Sequence, residues 1–144
     1  MRSAGGVISL AGIVVTLVGC GSDRGAAPIP CDLVTSEEVS AIVGTTVTWA
    51  DTVASDAGGS RGCNFVVSGV TLLQVWLDED SRIYDVVKAQ GSPVPSTANP
   101  TYEAAVSGAL REAVSTHAGK YLSVQTTAAA GVAGRIADLA VGRL

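Results

Sequence analysis

The sequence predicts an α+β domain: an antiparallel β-sheet of about five or six strands, short helices packed on one side of it, and one disulfide. Three observations carry this expectation. Runs rich in β-branched and apolar residues (45–54, 63–67, 70–77 and 121–127) are separated by glycine-containing turns. Stretches opening near Thr35, Ser81 and Ala129 show helical spacing and capping residues. Two cysteines, Cys31 and Cys63, form an even pair once Cys20 is given another role.

Cys20 closes the targeting segment. Met1 and Arg2 supply a positive start, and residues 7–18 are almost unbroken in apolarity. A run of about twelve residues spans roughly 18 Å as a helix, well short of a hydrocarbon core of about 30 Å. Charged start, apolar middle and small residues at the end are the layout of a secretory signal. The end itself, Leu17-Val18-Gly19-Cys20, resembles the lipobox of bacterial lipoproteins. That resemblance implies diacylglyceryl transfer to the Cys20 thiol, cleavage before it, and a lipid anchor at the extracytoplasmic face of the cell membrane. Residues 1–19 then form the signal peptide, 20–30 the lipidated cysteine and a tether, and 31–144 a single domain.

Charge supports a covalent anchor. The chain has 9 Lys+Arg and 13 Asp+Glu; without Arg2 the balance is 8 − 13 = −5. Anionic headgroups repel such a domain, and nucleic acid is excluded as a partner by the same balance. The tether, about ten residues rich in Gly, Ala, Ser and Pro, spans about 17 Å on average and at most about 35 Å, so the domain sits close above the membrane.

Along the domain, Cys31 precedes the best-signed helix. Thr35 is placed to cap and Glu38 to complete a capping box, Val34 and Val39 have the spacing of a hydrophobic staple, and Gly44 is a natural stop. Residues 45–54 read as a strand, 55–62 as a loop, and 63–67 as a second strand. Ser68-Gly69 then turns the chain into a third strand over 70–77. That strand is apolar on both faces. Two readings stand: a central strand covered on both sides, or a strand with one face lining an apolar groove, with Val70, Leu72 and Trp76 facing a ligand. In Asp78-Glu79-Asp80, Asp80 (or Ser81) caps a helix over 82–90, and the acids favour the positive end of its dipole. Residues 91–100 are a Pro-rich connection.

From Thr101 two patterns compete. Tyr102, Ala105, Val106, Ala109, Leu110 and Ala113 fall at helical spacing. Ser107-Gly108 interrupts that spacing, and 114–116, 117–120 and 121–127 read as strand, turn and strand, so a β-meander is expected. An Ala-rich amphipathic helix over 129–144, with Val132, Ile136, Leu139 and Ala140 on one face, closes the chain.

The lipobox, the tether, the opening Cys31-Asp32-Leu33-Val34-Thr35 and the later Gly62-Cys63-Asn64-Phe65 together resemble the actinobacterial cell-envelope lipoproteins of unassigned function, the mycobacterial Lpr type among them. The resemblance implies a disulfide and an α+β domain. It brings no catalytic residues.

Chemistry is sparse. A Cys31–Cys63 bridge would close a loop of about 33 residues, stabilising by roughly 3.5–4 kcal/mol. A single histidine, His117, leaves too few ligands for a zinc cage, and no metal or other cofactor is expected. Neither Ser68 nor Ser107 lies in a Gly-x-Ser-x-Gly elbow beside that histidine, and residues 58–62 lack the lysine of a phosphate loop. The favoured function is a non-enzymatic envelope module that binds an apolar ligand or an envelope protein. The alternatives are a small hydrolase using His117, or a structural surface antigen without a small ligand.

Overall fold

The structure is a computed structural model that describes residues 30–54 and 61–144. The expected signal segment, Cys20, the expected tether up to residue 29 and residues 55–60 of the expected loop lie outside the described residues. Among the described residues four helices and seven strands follow one another: α1 (Pro30–Leu33), α2 (Ser36–Val43), β1 (Trp49–Ala54), β2 (Arg61–Val67), β3 (Val70–Asp78), α3 (Arg82–Gln90), β4 (Ser92–Pro93), β5 (Thr101–Ser107), β6 (Leu110–His117), β7 (Lys120–Thr126) and α4 (Val132–Val141). No described helix is long and apolar enough to cross a membrane.

The strands form one antiparallel sheet in the order β1-β2-β3-β7-β6-β5-β4. Two meanders, β1–β3 and β5–β7, are joined side by side through β3 and β7. Seven strands exceed the expected five or six, because two-residue β4 joins the edge and 101–117 forms a complete hairpin. The helical spacing over 101–113 loses to pairing. Thr101 faces Ser115 and Tyr102 faces Val114 in register, and Gly108 takes a left-handed φ of 55° in the turn. Pairing of β5 with β6, and of β6 with β7, supplies backbone partners across that stretch, with alternate side chains reaching two different cores.

Where local chemistry decides, the expectations hold. Thr35 Oγ1 accepts from the Glu38 amide at 3.2 Å, and the Glu38 carboxylate accepts from the Thr35 amide at 2.9 Å. Val34 and Val39 are fully buried, and Gly44 ends α2 at φ 78°. The Cys31–Cys63 disulfide ties α1 to β2, with Cα atoms 5.0 Å apart. Several bounds move. Pro30, assigned to the tether, is buried and opens α1. β1 starts at Trp49 rather than residue 45, because Val47 turns inward and donates its amide to Ser40 Oγ at 2.8 Å. β2 starts at Arg61, and α4 starts at Val132, burying Ala133, Ile136, Ala137 and Ala140 while Val132 and Leu139 flank them.

The expectation of helices on one side is corrected. Neighbours on β6 show it: Ala113 packs with Leu122, Val124 and Ile136, whereas Val114 packs with Tyr84, Val87 and Ala104. Helices α1, α2 and α4 cover the first face and α3 the second. The reason is steric. α4 already fills the first face over β6 and β7, so Tyr84 and Val87, spaced for one helical stripe, find apolar partners only on the other face.

Candidate functional site: the bare half of the sheet

Helix α3 packs on β5, β6 and β7. Over β1, β2 and β3 on that same face, no described helix lies. Strand registers place two rows of side chains there. The first runs Asp51–Asn64–Gln74–Gln125–Glu112, one residue from each of five neighbouring strands. Gln74 Nε2 donates to Asn64 Oδ1 at 2.8 Å, and Gln125 Nε2 donates to Glu112 Oε1 at 3.1 Å. The second row runs Val53–Gly62–Trp76–Ser123. On the other flank of the polar row, alternation along β1 puts Trp49 on this face, 53 % exposed. Both tryptophans of the chain therefore bracket one row of amides.

Trp76 has a built seat. A Cβ added to Gly62 would lie 2.7 Å from Trp76 Cε3 and 2.9 Å from both Cδ2 and Cζ3. Near-equal distances to three adjacent ring atoms mean an approach through the ring face rather than its edge. The half-buried indole lies flat over β2, and only a glycine there leaves room.

Of the three residues expected to face a ligand, Trp76 and Leu72 are half-buried on this side, Leu72 lining a shallow cleft of about 230 Å³ with Leu110 and Gln125. Val70, at the hairpin turn, is 68 % exposed. The apolar groove is corrected to a mixed surface, because Gln74 stands between Leu72 and Trp76 and continues into amides on both neighbouring strands. Among the described residues, β3 is central in strand order yet covered by helices on one face only. Asp51, Asn64, Gln74, Glu112, Gln125, Gly62 and Trp49 were not legible as site residues: each belongs to the surface only through inter-strand register, which a single sequence does not contain.

Asp78 ends β3 on the same side. Its Oδ1 accepts from Ser123 Oγ at 3.2 Å, while Oδ2 is buried without a partner. Burial pushes the carboxyl up to about 6, helped by the Glu112 and Asp80 carboxylates and opposed by the Ser123 bond. Asp80 accepts the Arg82 amide at 2.9 Å, so it starts α3 as expected. Among the described residues no group of three His, Cys, Asp or Glu side chains has metal-site geometry.

His117 stands elsewhere. Its Nδ1 lies 2.8 Å from Asn99 Oδ1, and Asn99 Nδ2 donates to Asp138 Oδ1 at 2.8 Å. Since an amide oxygen can only accept, Nδ1 is the donor in this contact. Ser68 and Ser107 sit at the opposite end of the sheet, about seven residues or roughly 23 Å along the strands. A cavity of about 360 Å³ near Glu103 and Arg111 is structural in its polar groups. The Glu103 carboxylate accepts the Gly131 amide at 3.0 Å and the Gly134 amide at 3.1 Å, capping α4.

No protein-family model, curated protein or solved structure matches the chain.

Proposed function

We propose that the protein is a non-enzymatic binding module of the cell envelope, anchored by a lipidated Cys20 at the extracytoplasmic face of the membrane, which engages its partner with the bare half of the sheet. The observation that carries the binding role is Trp76, a large ring held flat and half-buried on a glycine seat. Packing of the core does not need it there; a surface that must present an aromatic face does. The lipobox-like Leu17–Cys20, the resemblance to actinobacterial envelope lipoproteins and a disulfide suited to an oxidising compartment support the location.

Two measurements test this. Mass spectrometry of the protein purified from membranes is expected to find acyl chains on Cys20; an unmodified thiol there contradicts the anchor. Immobilised protein is expected to retain material from a detergent extract of the envelope, and Trp76→Ala to lose it. Equal retention by both contradicts the binding face.

The Asp138–Asn99–His117 chain favours a second reading, a hydrolase with His117 as base, since it orients the ring as a catalytic base requires. In that case His117→Ala abolishes a hydrolytic activity; an activity left unchanged removes the reading.

A further inference from the structure

The chemistry of the bare surface narrows its ligand. A sugar ring has an apolar C–H face and a rim of hydroxyls, each both donor and acceptor. A matching surface holds flat aromatic rings beside fixed groups that also donate and accept. Here Trp76 lies flat on Gly62, Trp49 stands across the polar row, and Asn64, Gln74 and Gln125 supply three neighbouring amides between them. The row crosses five strands, or about 19 Å at the spacing between strands, which is long enough for a chain rather than one sugar.

Order in the row favours binding. The Gln74–Asn64 and Gln125–Glu112 bonds hold the amides in place before any ligand arrives, so little side-chain entropy is lost on contact. Within the Asn64–Gln74 pair the described bond uses one N–H and one carbonyl oxygen, so an amide can still donate to and accept from hydroxyls.

Charge decides among ligand classes. Asp51 and Glu112 end the row and Asp78 lies beyond Trp76, and no Lys or Arg among the described residues falls in either row. Phosphorylated or uronic chains and anionic headgroups would find no cation in either row and carboxylates around it. A wholly apolar ligand would bury the amides unpaired. A basic peptide would find neutral amides at the centre, and the Glu112 carboxylate is already engaged by Gln125.

We infer that the bare half of the sheet binds a neutral, hydroxyl-rich oligosaccharide chain lying along the Asp51–Glu112 row with sugar rings stacked on Trp76, an inference that rests on the binding role proposed above. The test is calorimetric titration of the protein with soluble hexasaccharides of glucose, mannose, arabinose and N-acetylglucosamine, alongside hexalysine and phosphatidylglycerol vesicles. At least one neutral hexasaccharide is expected to bind saturably at millimolar concentration or below. Trp76→Ala should weaken that binding tenfold or more, and Gln74→Ala, which leaves the indole and its seat in place, by about threefold to tenfold. In a Trp49→Phe background, Trp76 emission should shift to the blue on titration. Binding of hexalysine or vesicles in place of every sugar overturns the inference, as does sugar binding that both substitutions leave unchanged. If envelope extract is still retained through Trp76 while no hexasaccharide binds, the ligand class fails and the binding role stands; if neither binds, both fail.

Discussion

Asp78 and Gly62 are two residues whose surroundings constrain the fold. With its folded value near 6 against an ordinary 3.8, Asp78 binds more protons in the folded than in the unfolded chain between those limits. Its stabilising contribution is therefore complete below about pH 4 and is lost as pH rises through 6, up to about 3 kcal/mol in all. Asp78→Asn removes that dependence, so the melting-temperature difference between variant and wild type should grow in the variant's favour from pH 4 to 7; parallel curves would contradict it. Glu38 has the opposite sign. The Arg143 guanidinium and the Thr35 amide hold it near 2, so what it adds is present above its ordinary 4.5 and is lost as pH falls towards 2. At Gly62 any side chain meets the indole. Gly62→Val should cost roughly 1–3 kcal/mol in denaturant unfolding and shift Trp76 emission to the red; an unchanged spectrum would mean that the ring does not rest there.

Among the elements, α2 and α4 start in contrasting ways. Thr35 and Glu38 cap α2 from within three residues, and Thr35→Ala should cost about 1 kcal/mol. For α4 the cap comes from Glu103, 28 residues before Gly131, with Arg111 3.4 Å from the same carboxylate. Glu103→Ala strips two helix amides and leaves Arg111 unpaired, so its loss measured by denaturant should exceed that of Thr35→Ala; the reverse order would contradict the cap. The same contrast explains what could be read beforehand. The bounds of α3, the Thr35 box and the Ser68-Gly69 turn follow from neighbours in the chain, and all three are legible. The side on which α3 docks, the Glu103 cap and the amide row follow from pairing between distant strands. Residues 101–113 stand between these cases: their helical spacing is real, but Gly108 and the available strand partners outweigh it.

Across the whole molecule, the sheet's two faces do different work. One carries the larger core and three helices, stapled by Cys31–Cys63, whose reduction or Cys63→Ser should lower stability by roughly 3.5–4 kcal/mol, a fall of some 10–20 °C in Tm; an unchanged Tm under reductant contradicts it. The other is half covered by α3 and half given to aromatic and amide side chains. This division is what the binding role depends on. Nuclear magnetic resonance of the labelled protein titrated with envelope polysaccharide tests it most directly, through the side-chain amides of Asn64, Gln74 and Gln125 and the indole N–H of Trp76. These four resonances are predicted to move together and to saturate. Movement confined to α3 or to the His117–Asn99 region, or none at all, would contradict the assignment.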